Sequence, residues 1–177
     1  FSYCTSLTSA TIPDSVTTIG SYAFCDCVSL TSITIPESVK SVGDKAFNGC
    51  SNLASITVGD NITTIGGYAF DNTGYYNNSE NWENNVLYIG NHLIKAMQSL
   101  SGSYIIKEGT KCIAYYAFEY CYNLTSVTIG DSITTIGDRA FYNCDSLTSV
   151  TIPDSVTSIG DSAFSYCPSL TSATIPD

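Results

Sequence analysis

The side chains with chemistry to offer are few: eight cysteines, one histidine, one tryptophan and an acid that recurs at regular intervals. Six of the cysteines, Cys4, Cys27, Cys50, Cys121, Cys144 and Cys167, share one place in a 23-residue spacing broken once, between Cys50 and Cys121. Side chains related in that way run parallel, whereas a disulfide needs converging Cβ vectors and a defined torsion. Eight free thiols, most of them packed as small hydrophobes, are therefore expected. Cys25-Asp26-Cys27 lacks the two-residue spacer and the second ligand pair of a zinc site. The acids Asp14, Glu37, Asp60, Glu108, Asp131, Asp154 and Asp177 follow a proline or glycine in all but one case. Each offers a single carboxylate where a calcium loop needs several oxygens in one short segment, so these acids read as turn formers. His92 has no Ser or Cys nucleophile signature beside it, and no glycine loop resembles a phosphate cradle. No catalytic residue, metal ligand or cofactor is expected, and the chain does not read as an enzyme.

What remains is recognition chemistry. Ser and Thr recur in pairs two residues apart, as at Ser32 and Thr34, Ser126 and Thr128, and Ser149 and Thr151. Tyr75, Tyr76 and Trp82 gather in one Asn-rich stretch, and aromatic residues are favoured anchors in interfaces and sugar sites. These nine residues are the candidate partner-binding positions. The same aromatics could equally cover an irregular segment of the fold, and that alternative stays open.

The elements that must position these groups follow from a repeat. All seven Phe lie in one series, Phe1, Phe24, Phe47, Phe70, Phe118, Phe141 and Phe164, spaced by 23 residues except for one gap of 48. Counted from Leu7, Leu30, Leu53, Leu124, Leu147 and Leu170, the unit reads L-T-S-x-T-I-P-D-S-V-T-S-I-G-D-x-A-F-x-x-C-x-S. Residues at positions 3 to 6, such as Ser149 to Ile152, alternate polar and β-branched apolar, which marks a half-buried strand with its hydroxyls outward. Pro at position 7 has no N–H for a ladder and ends that strand. A second apolar pair at positions 10 and 13, such as Ile133 and Ile136, predicts another short strand. Asp44, Asp138 and Asp161 stand where an N-cap belongs, so Ala-Phe-x-x-Cys is expected to form a single helical turn with Phe and Cys inward. No such unit can bury its own Leu, Ile and Phe, so stability must come from stacking.

Between Phe70 and Phe118 the pattern changes. Val86-Leu87-Tyr88-Ile89 and His92-Leu93-Ile94-Lys95 flank Gly90-Asn91, which suits a type II′ hairpin turn. Ile106, Ile113 and Phe118 then resume the register of Ile12, Ile19 and Phe24. Residues 71–103 are thus expected to be a deformed coil carrying a hairpin, inside a single solenoid spanning residues 1–177.

The unit T-I-P-D-S-V-T-S-I-G-D-x-A-F-x-x-C resembles the BspA-like class of leucine-rich repeats. The likeness covers nearly the whole chain, with the Ile-Pro-Asp turn, Ile-Gly-Asp, Ala-Phe and Cys, or close variants of them, at fixed offsets in Leu7 to Ser29, Leu30 to Asn52, Leu124 to Ser146 and Leu147 to Ser169. It implies a curved β-rich solenoid of between seven and eight coils, with a parallel sheet on the concave face and short strands and single helical turns on the other side. It also implies a secreted or cell-surface location and a role in adhesion, and it supplies no catalytic residues.

Composition is consistent with such a scaffold. Hydrophobic residues make up 44% of the chain and charged ones only 12%, against roughly 25% charged in an ordinary soluble domain. Six Lys plus Arg against sixteen Asp plus Glu give a net charge of -10, which opposes the phosphate neutralisation that nucleic acid and anionic membranes require. No apolar run approaches the roughly 20 residues of a membrane-spanning helix. The expected function is non-enzymatic binding of a protein ligand outside the cell, such as a host matrix or cell-surface protein. A passive spacer, or a carbohydrate-binding accessory acting through Trp82 and its neighbouring Tyr, are the alternatives. The chain starts at position 18 and stops at position 8 of the unit, which predicts a piece of a longer array with some end-to-end self-association.

Overall fold

The computed structural model describes residues 1–175; Pro176 and the last acid of the position-8 series, Asp177, lie outside the described residues. The described residues fall into two compact units: one of Phe1–Glu83 with Leu87–Gly90, the other of Asn84–Val86 with Asn91 onward. Each is a β-solenoid whose windings are joined by parallel strands, as the repeat predicts.

In the first unit, Ser32–Ile35 pairs parallel with Ser55–Val58, residue against the residue 23 further on, with Ser32 opposite Ser55 and Thr34 opposite Thr57. The second wall is a three-stranded parallel sheet of Thr18–Ile19, Ser41–Val42 and Thr64–Ile65. The second unit repeats the plan: Ser101–Ile105, Asn123–Thr128, Ser149–Thr151 and Ser172–Thr174 form one parallel wall. His92–Ala96, Cys112–Ile113, Thr135–Ile136 and Ser158–Ile159 form the other. Strand Ser32–Ile35 ends immediately before Pro36, and Val39 N–H then closes a turn on the Pro36 carbonyl at 3.1 Å. Ser9–Ile12, expected as the first strand, is not assigned as one.

The interiors are the apolar ladders of the repeat. Leu30, Leu53, Leu124 and Leu147 are fully buried, as are Phe47, Phe70, Phe118 and Phe141. The rings stack face over face within each unit. Centroids lie 5.3, 5.1 and 5.4 Å apart along Phe1, Phe24, Phe47 and Phe70, and 4.8 and 5.0 Å apart along Phe118, Phe141 and Phe164.

The segment closing each winding is a run of hydrogen-bonded turns where the sequence predicts one helical turn. Its backbone N–H groups alternate between two jobs. Those of Tyr22, Phe24 and Asp26 donate to Asp44, Ala46 and Asn48 in the next winding, at 2.9, 2.7 and 2.8 Å. Those of Ala23, Cys25 and Cys27 close turns on Gly20, Tyr22 and Phe24. In an α-helix the bonded N–H groups all turn back to carbonyls four residues earlier in the same winding. Alternation requires left-handed residues at positions 16 and 20: Tyr22, Lys45, Tyr68, Tyr116, Arg139 and Ser162 at the first, and Asp26, Gly49, Asn72, Tyr120, Asn143 and Tyr166 at the second, all with φ between 51° and 75°. Such a conformation costs a non-glycine residue roughly 1–2 kcal/mol, and three cross-winding hydrogen bonds plus a buried ring offset it. The position-15 acids serve the same ladder: Asp44 Oδ1 accepts from Gly67 N–H at 2.7 Å and Asp138 Oδ1 from Asp161 N–H at 2.9 Å. They cap the neighbouring winding, not a helix in their own.

The irregular stretch contains a short helix, Gly74–Asn77, N-capped by the Thr73 side chain, and a 3-10 turn, Ser79–Asn81. Strands Val86–Ile89 and His92–Ala96 follow, joined by a two-residue turn with Gly90 at φ 55°, the sign a type II′ turn requires.

Candidate functional site

All eight cysteines are free thiols. The position-21 series has a role the spacing did not reveal, because four of its six Sγ atoms donate to a phenylalanine carbonyl of the preceding winding. Cys27 reaches Phe1 at 3.1 Å, Cys50 reaches Phe24 at 3.0 Å, Cys144 reaches Phe118 at 3.2 Å and Cys167 reaches Phe141 at 3.1 Å. The carbonyls of Phe1, Phe24 and Phe118 are thereby bonded twice, by their own turn and by the next thiol. Burial pushes the Cys50, Cys112 and Cys121 thiols up to about 12. In the unfolded chain a thiol ionises near 8.5. A folded pKa raised above the unfolded one gives stability that is complete below about pH 8.5 and is lost as pH climbs toward 12. Urea midpoints measured from pH 7 to 11 should therefore fall above about pH 8.5, and iodoacetamide should label exposed Cys4 long before Cys50 or Cys112. Rapid labelling of all eight thiols in the folded state would contradict the assignment.

His92, which the sequence places at a hairpin without chemistry, is fully buried with Nδ1 3.3 Å from Cys112 Sγ. The register of the two strands sets His92 opposite Cys112, a proximity that 20 residues of separation and a broken repeat concealed. Neither side chain meets solvent, and the two pack together inside the second unit. Lys95 and Glu119 form a mostly buried ion pair at 3.5 Å, which the sequence also gave no sign of.

Of the aromatic candidates, Trp82 donates its indole N–H to the Tyr76 carbonyl at 2.8 Å, and its ring meets that of Tyr76 edge to face at 5.1 Å. Tyr75 donates its hydroxyl to the Tyr88 carbonyl at 3.2 Å. All three are half-buried around the short helix, and the polar handles of Tyr75 and Trp82 are engaged by backbone carbonyls. Ser32 and Thr34 lie exposed in the first unit beside Ser55 and Thr57.

The other four candidates converge. Ser126, Thr128, Ser149 and Thr151 share the outer face of the second unit's long sheet and line an open groove of about 890 Å³. Asp131 and Asp154, both exposed, line it as well, with Thr174, Pro153 and Ser155. The repeat explains the conjunction: the strand carrying the hydroxyls ends just before the turn that carries the acid, so neighbouring windings place both rows on one surface. The sequence assigns those acids to turn formation alone. Ile105 is also unforeseen. It stands opposite Thr128 in the register, where the unit has threonine, and is 74% exposed.

Among the described residues no group of three His, Cys, Asp or Glu side chains is placed to hold a metal ion, and no helix is long and apolar enough to cross a membrane.

Comparison with known proteins places this architecture. A model of the BspA type leucine rich repeat region matches residues 1–112 and 96–177, with six copies. Among solved structures, a leucine-rich repeat protein from Eubacterium ventriosum is 26% identical, with 89% of this chain and 57% of that one covered and a TM-score of 0.53. A leucine rich cell surface protein from Faecalibacterium prausnitzii is 36% identical, with 95% of this chain and 38% of that one covered and a TM-score of 0.41. This chain thus spans well under two thirds of either protein's length. No curated protein matches it. Because that family model matches along the whole sequence, the chain belongs to the BspA type leucine-rich repeat family.

Proposed function

We propose that the chain is a non-catalytic binding module, displayed outside the cell, that takes a protein partner on the hydroxyl face of its second unit. The observation that carries this reading is the groove lined by Ser126, Thr128, Ser149 and Thr151. Its volume falls within the roughly 300–1,000 Å³ of ordinary ligand sites, and its hydroxyls can both donate and accept. Repeat proteins present such regular surfaces to partners because side chains on successive windings form rows. The non-catalytic part is supported by the sealed His92–Cys112 pair, and the surface location by the kind of protein this family's repeat resembles.

The test is surface plasmon resonance against a panel of purified extracellular-matrix proteins, with the wild type and a Thr128→Trp/Thr151→Trp variant that fills the groove. Both positions are exposed strand sites, so the variant's thermal midpoint should move by no more than a few degrees. At least one matrix protein should bind the wild type and lose at least tenfold in affinity for the variant. Equal binding by the two, or none by either, would favour the spacer role instead.

A further inference from the structure

We propose that the groove of the second unit holds an extended, positively charged protein segment with an apolar side chain seated on Ile105. This rests on the binding reading above and names its ligand class. Among the described residues, Asp131 and Asp154 are the charged groups lining the groove, and no basic residue lines it. The acid series continues at Glu108, next to Lys107, in the winding that carries Ile105. The chain as a whole carries a net charge of -10, which draws cationic segments in and repels a second copy of itself. Neighbouring windings set the acids about 4.8 Å apart, and side chains two residues apart on one face of an extended segment are about 6.6 Å apart. Flexible Lys stems bridge that difference.

Ile105 supplies the second element. The equivalent residues are threonine at Thr11, Thr34, Thr57, Thr128, Thr151 and Thr174, yet here a β-branched apolar side chain is left in water at the end of the hydroxyl row. It gives a segment crossing the groove an apolar anchor on one side and charge on the other. Hydroxyls on the same face, such as those of Thr128 and Thr151, are suited to main-chain N–H and C=O groups. A glycan is the weaker fit, since no aromatic ring among the described residues lines the groove for a sugar ring to rest on.

Three probes decide the matter by fluorescence anisotropy or calorimetry: a capped decapeptide alternating Val and Lys, its Val and Glu counterpart, and cellohexaose. The Val–Lys peptide should bind at least tenfold more tightly than the other two and weaken as salt rises. Its Kd should rise at least tenfold in Asp131→Asn/Asp154→Asn and at least threefold in Ile105→Thr, a change that restores the repeat residue and so leaves the fold intact. Equal binding of the Val–Glu peptide or cellohexaose, or indifference to the Asn pair, would overturn the inference. If Thr128→Trp/Thr151→Trp then still abolishes binding, the groove stands as the site and only its ligand class falls. If that variant also binds normally, the binding reading falls with it.

Discussion

Phe141→Ala should lower the stability of the protein by about 3–5 kcal/mol, the range for removing a large aromatic side chain from a close-packed core. Phe141 is fully buried, with Phe118 stacked on one side at 4.8 Å and 6° and Phe164 on the other at 5.0 Å and 4°. Its removal opens a cavity and also strips a ring contact from each neighbour, each worth about 0.5–1.5 kcal/mol beyond area burial. A winding touches only the windings next to it, so the loss cannot be spread over a larger core. Phe164 offers an internal comparison: it stacks on Phe141 alone among the described rings and is only half-buried. Phe164→Ala should therefore cost clearly less. Urea denaturation followed by circular dichroism reads both. An unchanged midpoint for Phe141→Ala, or a larger shift for Phe164→Ala, would mean that the ring column is not the structural axis.

That column was legible in the sequence because a single residue type marks it at constant phase, and the strands were legible because alternation of β-branched and hydroxyl residues has no other simple meaning. The closing segment was harder to read. At position 20 the residues Asp26, Gly49, Asn72 and Asn143 hint at left-handed backbone, since these types tolerate it best. At position 16 stand Tyr22, Lys45, Tyr68, Tyr116 and Arg139, which give no such hint, because there the ladder to the next winding imposes the conformation against local preference. The candidate site was legible by halves. Its hydroxyls were found from their outward phase on the strand, whereas Asp131 and Asp154 were read only as turn formers, since a turn residue's second use depends on what lies beside it in space. His92 and Cys112 show the same limit: register across an irregular winding brings them together, and no local pattern encodes it.

Gly66→Ala should be nearly as damaging as loss of a ring, at about 3 kcal/mol, the upper end of the cost of overpacking. A Cβ on Gly66 would sit 2.5 Å from the Asp44 nitrogen and 2.7 Å from the Gly43 carbonyl carbon. Both are backbone atoms, which cannot swing aside as a side chain could. The methyl would push apart two windings held there by Gly66 N–H donating to the Val42 carbonyl at 2.8 Å and by Asp44 Oδ1 accepting from Gly67 at 2.7 Å. Position 14 is glycine at Gly43, Gly66, Gly137 and Gly160 for this close approach and not for a left-handed φ, since none of them has one. Ala114 takes that place in the winding that follows the irregular strand His92–Ala96, where its N–H still reaches the Leu93 carbonyl at 2.9 Å. The control is Gly20→Ala at the same repeat position, where a Cβ would meet nothing within 4 Å. There the methyl only restricts the unfolded chain, and the variant should be neutral or more stable by about 0.4–1 kcal/mol. The two thermal midpoints should thus move in opposite directions or differ by many degrees. If Gly20→Ala destabilised as much as Gly66→Ala, glycine at this position would be serving backbone conformation, and the contact between windings would not be what selects it.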